Sequence, residues 1–116
     1  MPAASADEVL WTPLSSARGA FFRVLHQTRR SQTAVMTVAP GEEAGPPETH
    51  EADQIFHVVE GEALVRIWAD GRERTPLERR APPGTLFVVP AGVQHWVKSV
   101  GREPLFFLTV YAPPEY

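Results

Sequence analysis

Proline and glycine cut every apolar segment of this chain short, and that punctuation constrains the fold more than any other feature. Twelve prolines and eight glycines are spread along the 116 residues. A helix that buries one face needs an apolar period of 3.6 sustained over about three turns. No segment here keeps that period. Strands of four to eight residues fit the spacing, and the segments between breakers are rich in Val, Thr and Phe.

Read this way, residues 21–27 (FFRVLHQ) and 33–39 (TAVMTVA) form two strands around a polar turn at 28–31, and Pro40-Gly41 ends the second. A loop at 42–47 follows. Residues 54–60 (QIFHVVE) and 63–68 (ALVRIW) pair tightly around Gly61, and Asp70-Gly71 is a turn signal leading into a polar stretch at 72–80. Pro82-Pro83-Gly84 precedes 85–89 (TLFVV), and segments 92–100 and 105–111 (LFFLTVY) close the series around a turn at 101–104. Roughly eight short strands imply a sandwich or closed barrel, an all-β domain over 21–116. Residues 1–20 are small and polar and read as an N-terminal arm, with Trp11 and Leu14 as its anchors on the barrel or on a partner subunit.

Composition removes several function classes. Net charge is −3, so no electrostatic footprint for nucleic acid or an anionic membrane is expected. The absence of cysteine excludes disulfides, thiolate metal sites and cysteine nucleophiles. Residues 1–7 lack a signal-peptide pattern and no run reaches the roughly 20 apolar residues of a membrane span, so a cytoplasmic location is expected. Phe106, Phe107, Tyr111 and Trp96 supply more aromatic surface than one small core readily hides, which predicts a homodimer.

The chemistry concentrates in four residues. Glu48, His50 and Gln54 share one parity, so on an extended chain they point to one face, which Phe56 and Val58 continue. Polar groups at the mouth of a barrel with apolar ones below would give that pattern. His95 follows more than forty residues later, just after a corner made by Pro90 and Gly92. A small antiparallel barrel can return it opposite His50.

These residues resemble the two motifs of the cupin superfamily. The second motif, G-x5-P-x-G-x2-H-x3-N, is matched at Gly84, Pro90, Gly92 and His95, with Ser99 in place of the final Asn. The first keeps its skeleton at Glu48-x-His50-x3-Gln54-x6-Gly61, with Glu for the first His and Gln for the Glu. The resemblance spans residues 45–99 and is strongest to small single-domain cupins of unassigned activity. It implies a jelly-roll barrel, or double-stranded β-helix, with a divalent transition metal (Fe, Mn, Ni or Zn) held by Glu48, His50, Gln54 and His95. The usual set of three imidazoles and one carboxylate carries one negative charge, and this set keeps that charge. An amide oxygen is a poorer ligand than imidazole for a borderline metal, so weaker binding is expected. Without Gln54, a two-His-one-carboxylate set with open positions remains.

Three function classes follow: a metal-binding cupin that holds a small molecule in its barrel; a metal-dependent dioxygenase or sugar isomerase, with Glu48 as candidate general base if it is not ligated; and a non-catalytic ligand-sensing dimer. Other polar residues carry less. His57 has the opposite parity and belongs on the outer face, and His26 reads as a surface residue. Trp96 should point away from the metal. Ser99 is a candidate for a hydrogen bond behind the ligands. Arg66 and Trp68 share one strand face, either pocket or surface.

Overall fold

The computed structural model describes residues 9–69 and 75–116. The chain forms eight strands: β1 Arg23–Gln27, β2 Gln32–Val38, β3 Asp53–Glu60, β4 Ala63–Trp68, β5 Leu77–Ala81, β6 Leu86–Val89, β7 Gln94–Ser99 and β8 Leu105–Ala112. They make two sheets, ordered β1-β2-β8-β3-β6 and β5-β4-β7, in which every strand pairing is antiparallel. Among the described residues, the only helical element is a 3₁₀ turn at Leu14–Ala17. No helix among the described residues is long and apolar enough to cross a membrane.

Alternation decides the packing. Phe56 and Val58 on β3 face inward and meet Val65, Val89, Val97, Leu105, Phe107, Met36 and Val38 in one core between the sheets. Phe56 stacks on Phe87 of β6 with ring centres 4.5 Å apart and lies 5.4 Å from the Phe107 ring. Closing the β3–β4 turn demands glycine. Gly61 has φ +76, and a Cβ there would lie 2.5 Å from the Pro104 carbonyl oxygen.

The segment read as a polar stretch contains β5. Leu77, Arg79 and Ala81 pair with Ile67, Val65 and Ala63, whereas Glu78 and Arg80 face the other side. Its strand alternation is masked because it is an edge strand, where charged side chains are tolerated and discourage pairing with a further strand. The Asp70-Gly71 turn lies outside the described residues.

The arm docks through Leu14, as expected, but not through Trp11. Leu14 and Ala17 pack on Val35, Phe106 and Leu25 over the outer face of the larger sheet. The Thr12 hydroxyl lies 2.7 Å from His26 Nε2, so that histidine is partnered rather than merely exposed, and Arg18 pairs with Glu60 at 2.7 Å. Trp11 anchors nothing within the chain and is 83% exposed.

A second correction concerns the aromatic residues taken as excess surface. Phe106, Phe107, Tyr111 and Trp96 are all buried within the single chain: Phe107 and Tyr111 on the inner face, Phe106 under the arm and Trp96 beneath Arg66. Apolar exposure sits instead at Leu86, Val88 and Leu77 on the two sheet edges, and at Phe21 and Trp11. His57 is exposed on the outer face of β3, as parity requires. Trp96 also faces outward, under the Arg66 guanidinium 4.6 Å from its ring centre, which places Arg66 on the surface side.

Candidate metal centre

Glu48 and His50 lie on the extended stretch before β3, and a short bridge pins that stretch to β7. Glu48 N–H donates to the His95 carbonyl and His95 N–H to the Glu48 carbonyl, each at 2.9 Å. The Pro90–Gly92 corner completes the clamp. Gly92, at φ +81, turns its N–H onto the His50 carbonyl at 2.8 Å. The corner of the second motif thus holds the backbone of the first.

The four predicted residues gather at this end of the barrel. The His50 and His95 rings lie 5.2 Å apart, and His50 Nε2 is 3.2 Å from Glu48 Oε2. Both histidines are buried, while the Glu48 side chain is 40% exposed at the rim. His95 Nδ1 sits 3.1 Å from the Val93 carbonyl, which favours a proton on Nδ1 and leaves Nε2 as the lone-pair nitrogen. Burial pushes the His95 pKa below the ordinary imidazole value, with the neighbouring His50 adding to that effect against the Val93 contact and Glu48. A neutral imidazole with its rear N–H held by a carbonyl is the state a metal ligand needs. His50 Nδ1 faces the Glu115 carboxylate at 3.8 Å.

Gln54 is buried at the start of β3. Its amide donates to Thr109 Oγ1 at 3.1 Å and to the Tyr111 hydroxyl at 3.2 Å, both on β8. Its oxygen, Oε1, has no partner. An unsatisfied buried acceptor costs about 1–3 kcal/mol, so this orphaned oxygen, on a side chain bonded to the Tyr111 hydroxyl whose ring meets His50, marks a place for a cation or a donor. Ser99 does not contribute. It lies at the far end of β7 opposite Ala63, and its buried hydroxyl is unpartnered.

Two tyrosines and a carboxylate join the site without having been read from the sequence. The Tyr111 ring stands edge-on to His50 at 5.5 Å, the Tyr116 ring at 5.9 Å, and the Tyr116 hydroxyl reaches Glu48 Oε2 at 3.5 Å. Burial raises both phenol pKa values, so both hydroxyls remain protonated donors at neutral pH. Tyr111 was legible: Phe107, Thr109 and Tyr111 share one parity on β8, and two polar side chains on an inward face mark a polar site. Tyr116 and Glu115 follow the last strand, where no periodicity places them.

The donor set fits a divalent cation in kind and spacing. With metal–ligand bonds of about 2.1 Å, adjacent donor atoms lie about 3 Å apart and the centres of two coordinating imidazoles about 5 Å apart. The Glu48–His50 and His50–His95 separations match those values. Among the described residues, however, no three His, Asp or Glu side chains are already drawn into one shell. Completing a shell therefore takes side-chain rotation, for which Glu48 has room at the rim. The space beside Glu48 and His95 is about 30 Å³, enough for about one water-sized group.

Comparison with known proteins bears on the family and the fold. The Cupin domain family matches residues 34–111. The uncharacterized protein YrkC of Bacillus subtilis is 27% identical over 96 residues, covering 83% of this chain and 51% of that protein. Oxalate decarboxylase OxdC of the same organism is 33% identical over 88 residues, covering 72% of this chain and 21% of that protein. The chain thus spans about half the length of one curated relative and about a fifth of the other. Among solved structures, BH2720 from Bacillus halodurans superposes with a TM-score of 0.79 at 28% identity, over 100% of this chain and 84% of that one. An RmlC-like cupin of double-stranded β-helix fold from Methanocaldococcus jannaschii gives 0.73 at 18% identity, over 95% and 94%.

Proposed function

Because this chain belongs to the cupin family, we propose that it holds a divalent transition metal through His50, His95 and Glu48, with Gln54 as a weaker fourth ligand, and keeps a small molecule in its barrel. The observation that carries this reading is His95. Its Nδ1 faces the Val93 carbonyl, and its ring packs against that of His50, whose Nε2 is already in contact with Glu48. A buried surface histidine with no such task would not need a fixed tautomer, a second buried histidine and a rim carboxylate together.

A bound metal would supply Lewis-acid or dioxygen chemistry. The chain's own groups hold and orient. Tyr111 and Tyr116 offer protonated hydroxyls to an anionic group, and Glu48 is the candidate base only where it does not ligate the metal. Oxalate decarboxylation is the named activity of a relative of which this chain spans about a fifth, and the reading here stops at binding. We place the protein in the cytoplasm, consistent with its lack of cysteine, and assign it a homodimer through the exposed apolar residues Leu86 and Val88.

A second reading, a metal-free polar pocket, draws support from the contact of Glu48 Oε2 with His50 Nε2 at 3.2 Å, which partners both groups without a metal. Elemental analysis of protein purified without chelators separates the two. Near-stoichiometric metal supports the first, and none after reloading with iron, manganese, nickel and zinc supports the second.

A further inference from the structure

A much larger cavity, about 410 Å³, lies where the sheets leave a seam between β5 and β6. Such a volume is in the range that holds small organic ligands. It is an open cleft lined by Val65, Ile67, Phe87 and Val89 and by two arginines of β5, Arg79 from the inner face and Arg80 at the rim, both exposed. Register fixes that direction. Arg79 is paired with Val65, a core residue, whereas its strand neighbours face outward, Glu78 onto Arg66 at 3.2 Å and Arg80 onto Glu62 at 2.5 Å. Across the three-stranded sheet, Leu77, Ile67 and His95 form one row, so the Ile67 wall of the cavity adjoins the His95 side of the metal centre.

An inward arginine on an edge strand has an ordinary explanation, since such charges deter edge-to-edge pairing. That role needs no cavity beside it. Here the guanidinium borders an open apolar cleft between the two edge strands, with Val65 and Val89 buried at its floor.

We propose that this cavity binds a small carboxylate with an aliphatic or aromatic body, the body against Val65, Ile67 and Phe87 and the carboxylate on Arg79. The fork of a guanidinium matches a carboxylate in a bidentate pair. Arg79 balances one negative charge; Arg80 also borders the cleft, but its own charge is met by Glu62. A phosphate dianion is therefore a poorer match. The proposal rests on the reading that the barrel holds a small molecule, and it names the chemical class.

The test is calorimetric titration of the whole protein with butyrate, hexanoate and octanoate, and with octanamide as the uncharged counterpart. Methyl NMR of Val65, Ile67 and Val89 reports where each compound sits. Affinity should rise about fourfold per added methylene until the cavity is full. Octanamide should bind at least about tenfold more weakly than octanoate. Arg79→Gln should remove that difference without changing octanamide binding, and Arg79→Lys should restore part of it. Thermal melts of both variants check folding.

Octanoate that fails to shift those methyl signals, that binds no better than octanamide, or that keeps its affinity in Arg79→Gln would overturn the proposal. Metal content of the same samples separates this from the metal reading. Octanoate binding by protein that takes up no metal would sink the metal site alone, and metal uptake without octanoate binding would sink the cavity assignment alone.

Discussion

Replacing Gln54 by glutamate restores the carboxylate found at this position in the family's first motif, and its effect depends on whether a cation sits beside it. Gln54 is 4% exposed, so the new carboxylate would be buried near the rim carboxylate of Glu48. Thr109 Oγ1 and the Tyr111 hydroxyl can each turn a proton onto one of its oxygens, offsetting part of the cost. The other oxygen inherits the place of Oε1, which has no partner. A buried carboxylate so placed costs about 2–4 kcal/mol in its charged form, and its pKa moves up.

The sign follows from linkage. A folded-state pKa above the unfolded value of about 4.3 means that the folded protein holds the proton longer, so stability is lost as pH rises above that value. Metal-free Gln54→Glu should therefore melt about 10 °C below the parent at pH 7.5 and much closer to it at pH 5. Added zinc or manganese should raise the melting temperature of the variant at pH 7.5 by more than it raises that of the parent. Scanning calorimetry at both pH values, with and without metal, measures all of this. An equal or smaller metal shift in Gln54→Glu would refute the idea that this side chain faces the cation.

Three further outcomes follow from the same geometry. Gly61→Ala forces a positive φ onto a residue with a Cβ and drives that Cβ against the Pro104 carbonyl, so chemical denaturation should show a loss of about 3 kcal/mol with the metal site intact. Because burial lowers the His95 pKa, its neutral form contributes stability that is present above the ordinary imidazole pKa and lost as pH falls through the depressed one; His95→Gln should flatten that part of the metal-free stability profile measured by urea titration. Leu86→Glu and Val88→Glu place charges on the exposed edge strand, and light scattering should show the parent as a dimer and the double variant as a folded monomer. A monomeric parent would remove the dimer assignment.

The sequence carried the site's placement further than its completeness. Inward parity of Glu48, His50, Gln54, Phe56 and Val58 was readable because a strand's period is two and the inner face is apolar. The Pro90–Gly92 corner announced that His95 turns back, and the structure shows why: that corner hydrogen-bonds the His50 backbone. Strand β5 was hidden, since an edge strand with two outward and one inward charge has no apolar alternation to detect. The aromatic residues misled because burial depends on which elements cover a face. Phe106 is outward on β8 yet lies under Leu14 and Ala17 of the arm. Tyr116 and Glu115 reach the site by the path of the chain after β8, a tertiary fact that no local pattern encodes.

The central claim is that His50 and His95 hold a metal at one end of the barrel, and metal content measured side by side tests it. The parent, His50→Ala, His95→Ala and Gln54→Ala are purified without chelators, loaded with one metal, desalted and analysed for metal per chain, with thermal melts as the folding control. The account predicts about one metal in the parent, none in either histidine variant and a reduced content in Gln54→Ala, all four folded. Full metal content in both folded histidine variants would contradict it.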